Sequence, residues 1–387
     1  MKTYVFFVMC LAVAFFFFIK LRCKPSKNIC SIDAVVPAFN EGPCLESTLA
    51  CLLKNKYIRQ VICVNDGSTD NTAEILEEMK NNWQGKLVVV HQPNTGKGGA
   101  LMAGVQLATA DQVFLTDADT FVPSDSKGLG YMLAEIEKGA DAVGGIPSTD
   151  LRGAGLLPHI RATVKMPMII MKRTLQQIMG GAPFIISGAC GLFRTKILRE
   201  NPFSDRTKVE DLDLTWTLVE KGYRIRQCNR CVVYPQECNT LKDEWKRWRR
   251  WISGYAVCMC LHKRLLLSRF GLFSILPMVW VVILGIITYS LAWRNTYTDI
   301  NLLGGLLQII FPFIWVAVVI SIAAFSAYFH RAPILILLAP FAVFYVLLAY
   351  TIWITHGIKS LFTGREPSRD KPTRVIRMVE NTRNVSI

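Results

Sequence analysis

The sequence predicts an α/β domain with a mostly parallel sheet, joined to α-helical transmembrane segments. Three observations carry that expectation. From Ser31 to Asp117, short β-rich apolar runs alternate with stretches of helical spacing, the pattern of βαβ units. Apolar residues make up 51% of the 387-residue chain, which leaves room for a membrane region beside one domain of ordinary size. Three long runs, 4–19, 271–293 and 302–355, are nearly free of charge. Each is roughly long enough to cross about 30 Å of hydrocarbon, the last being broken at His330 and Arg331.

Residues 1–27 read as an uncleaved N-terminal anchor, because Lys2 precedes the first apolar run and no small-residue cleavage site follows it. Lys20, Arg22, Lys24 and Lys27 place its C-terminal end in the cytoplasm by the positive-inside rule. The cytoplasmic domain then covers 28–240. Its strands are "SIDAVVPAF", "RQVICVN", "KLVVVHQ" and "DQVFLTD", with helices near 44–54, 70–82 and 97–109. Residues 241–269 are expected to form amphipathic interfacial helices, 270–357 the C-terminal transmembrane region, and 358–387 a basic tail. Three full crossings would leave that tail outside, although it holds seven Lys or Arg against three acids. One segment is therefore expected to be re-entrant or to lie along the interface. An integral protein of the cell or inner membrane is expected, with its α/β domain in the cytoplasm.

The net charge of +15, from 44 basic and 29 acidic residues, raises the question of nucleic acid. The cations gather beside the apolar runs, at 20–27, 242–269 and 359–383, a distribution that fits anionic lipid and a phosphorylated substrate better. The 12 cysteines are scattered, as thiols are in a reducing compartment. Only Cys228, Cys231 and Cys238 have metal-like spacing, without an evident fourth ligand, so they read as buried structural thiols.

In open α/β sheets, ligands sit at the carboxyl ends of the strands, and four such ends are polar here. The first is "PAFNE", with Pro37, Asn40 and Glu41. The second, "NDGSTD", places Asp66 and Gly67 at a strand end, where Asp66 can accept hydrogen bonds from a base or ribose and Ser68, Thr69 or Asp70 can cap the next helix. The third, "HQPNTGKGGA", lacks the Walker spacing, since His91 stands where that motif has glycine. Gly96 nevertheless exposes backbone amides before a helix and Lys97 adds a charge suited to a diphosphate. The fourth, "TDADT", sets Asp117 and Asp119 one residue apart, pointing the same way if the backbone stays extended. Paired hard-oxygen ligands suit Mg2+ or Mn2+ bridging to phosphates.

Downstream, "VEDLDLTW" crowds Glu210, Asp211 and Asp213 at a helix start. Capping needs one acid. A hydroxyl that must lose its proton needs a base beside the donor, and Asp211 is assigned that role with Glu210 and Asp213 in support. In "WKRWRRW", Arg247, Arg250 and Trp251 fall at i, i+3 and i+4 and share a helix face. Their guanidinium groups suit a diphosphate and the indole a sugar ring, the plain alternative being a solvated helix on a membrane surface.

This set resembles the inverting family 2 glycosyltransferases of the membrane-embedded processive type, which include cellulose, hyaluronan and poly-N-acetylglucosamine synthases. The resemblance runs from about residue 32 to 256. It implies a GT-A fold, a UDP-sugar donor, magnesium or manganese, and a glycan or lipid-linked acceptor at the bilayer. A small accessory membrane subunit is a further partner it implies. By position, the Asp-Gly turn of the family is similar to Asp66 and Gly67, its Gly-Lys loop to Gly96 and Lys97, and its D-x-D motif to Asp117 and Asp119. Its Thr-Glu-Asp base motif is similar to Val209, Glu210 and Asp211, its Gln-x-x-Arg-Trp motif to Arg247, Arg250 and Trp251, and its acceptor segment to Ser187 and Gly188 in "IISGACGLFR". Val209 replaces the usual Thr and Arg247 the usual Gln. The combination looks most like the poly-β-1,6-N-acetylglucosamine synthases. A single-sugar transferase acting on a lipid carrier is the alternative within enzymes, and a transporter or receptor with a nucleotide-sensing domain the alternative outside them.

Overall fold

The four apolar runs form β1 (Ile32–Ala38), β2 (Ile58–Asp66), β3 (Leu87–Gln92) and β4 (Gln112–Leu115) in a computed structural model that describes residues 24–277, 279, 283 and 319–366. All pair in parallel, β1 between β2 and β4 and β3 outside β2. Helices α1 (Gly42–Lys54), α2 (Thr72–Asn82) and α3 (Gly96–Leu107) make the crossovers. Both faces of β1 are covered: Ile32, Ala34, Val36 and Ala38 enter one buried cluster and Val35 the other. That split is the period-2 alternation of a strand. At Gly104 the helix lies so close to the sheet that a Cβ would stand 2.4 Å from Val35 Cγ1.

The second half adds β5 (Thr120–Phe121), α4 (Gly128–Glu137), β6 (Ala142–Pro147), α5 (Leu156–Gly180), β7 (Gly191–Arg194), α6 (Thr195–Glu200), α7 (Glu210–Glu220), β8 (Ile225–Pro235) and α8 (Leu241–Leu261). The full order is β3-β2-β1-β4-β7-β6-β8-β5. β7 runs antiparallel to β4 and β6, β6 and β8 are parallel, and β5 is antiparallel to β8. The sheet is thus mostly parallel, with reversal confined to β7 and the β5 edge.

One expectation needs correction. The "TDADT" stretch does not stay extended: the Thr120 N–H donates to Asp117 O at 3.0 Å, so the chain turns at Ala118–Asp119 and simple alternation cannot orient the two carboxylates. Over 241–269 the chain forms α8 and then a 3-10 turn at Lys263–Leu267. Thr240 caps α8 by accepting from the Asp243 N–H at 3.2 Å. From Ile252 to Met259 every residue of α8 is then buried, packed among core residues that include Trp216 and Phe270.

Residues 319–330 are helical, followed by α9 (Ile334–Leu337), α10 (Ala342–Ile352), a π-helical turn over Trp353–Gly357 and α11 (Ile358–Thr363). Among the described residues no helix is long and apolar enough to cross a membrane. The anchor expected at 4–19, most of 271–293 and residues 302–318 lie outside them.

Candidate active site

The Asn40 and Asp66 loops brace each other at the carboxyl ends of β1 and β2. Asn40, at φ 54°, accepts the Thr69 N–H at 2.8 Å, while its own N–H donates to Ser68 Oγ at 3.0 Å. The Glu41 N–H donates to Thr72 Oγ1 at 3.0 Å, and Pro37 sits half-buried in the same strand end. Asp66 is buried, and its Oδ1 accepts from the Thr95 N–H and Gln92 Nε2, both at 2.8 Å, and from Thr95 Oγ1 at 3.1 Å. It thereby ties β2 to the start of α3. Gly67, at φ 74°, must be glycine because a Cβ would lie 2.8 Å from Asn94 N.

This bracing sets the N-terminus of α3, with Gly96 at φ 82°, and carries Lys97 inward. Lys97 Nζ lies 2.5 Å from Asp117 Oδ1 and 3.8 Å from Glu210 Oε1. Burial lowers its proton affinity, but the charges of Asp117, Glu210 and Asp211 outweigh that and hold the ammonium above its ordinary pKa.

Asp211 reaches the same place from α7. Its Oδ2 accepts the Gly188 N–H at 2.9 Å and its Oδ1 the Leu212 N–H at 2.9 Å. Gly188 has no room for a side chain, since a Cβ would meet Lys97 Nζ at 2.9 Å and Asp211 Oδ2 at 3.5 Å. Thr116 Oγ1 fastens this turn to β4 by donating to Ala189 O at 2.9 Å, and the Cys190 N–H closes it onto Ser187 O at 2.9 Å. Burial and the neighbouring Glu210 push the Asp211 carboxyl above the usual aspartate range, with Asp117 adding to the rise; Lys97 and the Gly188 N–H act the other way. A carboxylate whose proton affinity is raised in this way, beside a cation, can act as a general base.

Asp119 is buried two residues beyond Asp117, with Thr120 Oγ1 at 3.4 Å from its Oδ1. Among the described residues no group of three His, Cys, Asp or Glu gathers for a metal ion. The donor set at Asp117 and Asp119 is hard oxygen, and Asp117 already holds a cation in Lys97. These two carboxylates have the chemistry to hold a hard divalent ion, with its remaining ligands to come from outside the protein. Cys228, Cys231 and Cys238 are buried thiols, as expected; burial pushes Cys228 up to about 11 and Cys238 up to about 12.

Two expected residues lie elsewhere. Asp213 faces away from Lys97: it accepts from Arg206 Nη2 at 2.8 Å and Ser204 Oγ at 2.5 Å, and pairs with His262 Nε2 at 2.7 Å. It therefore fastens α7 to the end of α8 rather than supporting a base, because a helix turns successive carboxylates to different faces. Arg247, half-buried, pairs with Glu237 at 2.6 Å and with Glu244. Arg250, half-buried, and Trp251, exposed, lie on α8 one turn before Gly254, where Val209 Cγ2 would stand 2.5 Å from an added Cβ. Val209 is thus a packing residue joining α8 to the first turn of α7, which accounts for an apolar side chain there. Neither Thr116 nor Thr95 stands out within its motif, because their roles depend on which loops meet.

The pattern of "Glycosyl transferase family 2" matches residues 33–201. The chain is 64% identical over 380 residues to the "Uncharacterized glycosyltransferase YaiP" of Escherichia coli (strain K12), covering 98% of this chain and 95% of that protein. The chain belongs to glycosyltransferase family 2. This glycosyltransferase is also 30% identical over 240 residues to the poly-β-1,6-N-acetyl-D-glucosamine synthase of Staphylococcus aureus (strain COL), a match covering 60% of this chain and 57% of that one. Its fold is similar to that of the mannosyltransferase PcManGT from Pyrobaculum calidifontis, solved in complex with GDP-Man and Mn2+. The TM-score is 0.53 at 17% identity, over 85% of this chain and 93% of the other. The GT-A-like α/β fold of the glycosyltransferase domain agrees with that likeness.

Proposed function

We propose that this family 2 glycosyltransferase is an inverting enzyme that moves a sugar, N-acetylglucosamine in the first instance, from a UDP-sugar to a growing polysaccharide at the cytoplasmic face of a membrane, with the product passing into the bilayer. One observation carries the chemistry: the Gly188 N–H and Lys97 converge on Asp211 at the strand ends. Asp211 takes the proton of the acceptor hydroxyl, whose oxygen attacks the anomeric carbon in line while the bond to the diphosphate breaks, so configuration inverts. Lys97 and Arg250 balance the charge that gathers on the departing diphosphate. Asp119 and Asp117 would hold Mg2+ or Mn2+, which when bound neutralises the same phosphates; the Mn2+ in the mannosyltransferase complex supports that choice. Pro37, Asn40, Glu41, Asp66 and Gly67 shape the nucleotide end, and Ser187, Gly188 and Trp251 the acceptor side.

The N-acetylglucosamine reading is supported by the match to the Staphylococcus aureus synthase. The membrane reading is supported by apolar side chains turned outward on the C-terminal helices, among them Leu337, Phe341, Leu347 and Phe362. Transfer to a lipid carrier phosphate is the second reading, favoured by Arg173. This guanidinium is buried, donates to Gly145 O at 3.0 Å and has no carboxylate in ion-pair reach among the described residues; burial lowers its pKa to about 10. Membranes holding the chain, incubated with radiolabelled UDP-sugars and manganese, distinguish the two by product size. Labelled polymer is expected; a lipid-linked monosaccharide establishes the second reading and overturns the first.

A further inference from the structure

Side chains from α5 and α8 meet in a buried ionic network that the transfer chemistry does not use. Arg161 and Lys165 sit four residues apart on α5 and so share a face. Glu244 and Arg247 come from α8, and Glu237 from the segment that leaves β8. Arg161 Nη1 donates to Glu237 Oε2 at 2.8 Å and to Glu244 Oε1 at 3.0 Å. Arg247 Nη1 donates to Glu237 Oε2 at 2.6 Å and its Nη2 to Glu244. Lys165 Nζ donates to Glu237 and, at 2.5 Å, to Ser148 O. Thr149 Oγ1 completes the set at 3.3 Å from Glu237 Oε1. Both carboxylates and Arg161 are buried.

Charges withdrawn from water are a poor way to stabilise a fold, since well-packed apolar residues of like volume do as well or better. Such a network can instead fix one geometry, and here its contacts lead to Trp251. The guanidiniums of Arg161 and Arg247 each lie over the Trp251 ring, both 5.4 Å from its centroid, within cation–π range. Trp248 donates its Nε1–H to Glu244 Oε1 at 2.7 Å and meets the Trp251 ring at 6.0 Å in an edge-on contact. Every one of these neighbours of the indole is itself held by Glu237 or Glu244. Trp251 still keeps 38% of its surface exposed.

We infer that Arg161 and Glu237 are positioning residues for Trp251, holding its indole in one orientation through the buried ion network so that its exposed surface meets the acceptor. The acceptor half of this rests on the proposed role of Trp251; the positioning half does not. Three cations and two carboxylates leave one positive charge over, so loss of the Arg161 charge leaves the network balanced and the fold able to form. Lys165, pushed down to about 8 by burial despite Glu237, is the member that can shed a proton most readily.

The full chain labelled with 5-fluorotryptophan tests the positioning directly, with the Trp251 resonance assigned from Trp251→Phe. Arg161→Met and Glu237→Gln are expected to shift that resonance and to broaden or split it, and Arg161→Lys, which keeps the charge but loses the planar fork, to give a smaller change. A Trp251 resonance identical to wild type in both Arg161→Met and Glu237→Gln overturns the inference. Should Glu237→Gln fail to fold, Arg161→Met and Arg161→Lys decide it. In transfer from UDP-N-acetylglucosamine to an N-acetylglucosamine oligomer, Arg161→Met is expected to raise the acceptor KM about tenfold, the size of a lost desolvated cation–π contact. Hydrolysis of the donor by water should stay at the wild-type rate, and a parallel fall in both rates overturns a positioning role. If Trp251→Ala leaves the acceptor KM unchanged while the fluorine resonance responds to Arg161→Met, the acceptor reading fails and the positioning stands.

Discussion

Asp211 is the proposed base, and its surroundings set testable limits. A base whose folded pKa is raised works only above that value, so the acid limb of kcat/KM should lie above the usual aspartate range of about 4. Lys97 acts against the rise; Lys97→Met should therefore move the limb to higher pH, and an unmoved limb in a pH–rate profile would contradict the pairing. Asp33 shows the opposite case, a structural carboxylate. It is fully buried, accepts from Arg59 Nε at 2.9 Å and Nη2 at 2.7 Å and from the Thr109 and Ala110 N–H groups, and is held below the ordinary range despite its burial. Asp33→Asn should cost about 2 kcal/mol, read as a lower midpoint in urea. At the residue level the sequence showed which side chains can do chemistry, because carboxylates at strand ends and helix starts are conspicuous. It set Asp213 beside Asp211 as a supporting acid, because the difference lies in what each faces: Gly188 in one case, Arg206 and His262 in the other.

Among elements, α7 is the one whose placement matters most, and it is held at two points. Behind it, His262 lies between Asp213 at 2.7 Å and Glu220 at 2.9 Å. Burial lowers the imidazole pKa, but the two carboxylates outweigh it and the value is raised. The stabilisation is therefore complete below the unfolded value of about 6.5 and is lost as pH rises through the folded one. His262→Gln should remove that alkaline loss of stability, seen by comparing thermal midpoints at acidic and alkaline pH. Ahead of it, Glu366 accepts from Thr207 Oγ1 and, at 2.5 Å, from the Lys208 N–H, just before Val209. Glu366→Ala should speed amide hydrogen exchange over 207–210, with a loss of about 1–2 kcal/mol. The strands and helices up to Asp117 were legible because their apolar periods are clean. Those after it were not: β7 is antiparallel and four residues long, and the "ISGYAVCM" part of α8 is buried all round, so it carries no stripe to read.

For the molecule as a whole, the family, the GT-A-like fold and the gathering of Lys97, Asp117, Gly188, Glu210 and Asp211 around one point form a single picture, with α8 linking that point to the apolar C-terminal helices. The site brings together residues from 97 to 211 because β4, the 187–190 turn and α7 share one end of the sheet, a closure that local pattern cannot show. The proposed membrane embedding makes a plain expectation: the full chain stays with the membrane after alkaline carbonate extraction, whereas release into the wash would contradict it. The most direct test of the central claim compares wild type with Asp211→Asn in two assays, calorimetric binding of the UDP-sugar and transfer of radiolabel to acceptor. Unchanged donor affinity with transfer reduced by roughly 10²–10⁴ is the expected result. Transfer at the wild-type rate, or loss of donor binding in step with activity, would contradict Asp211 as the base.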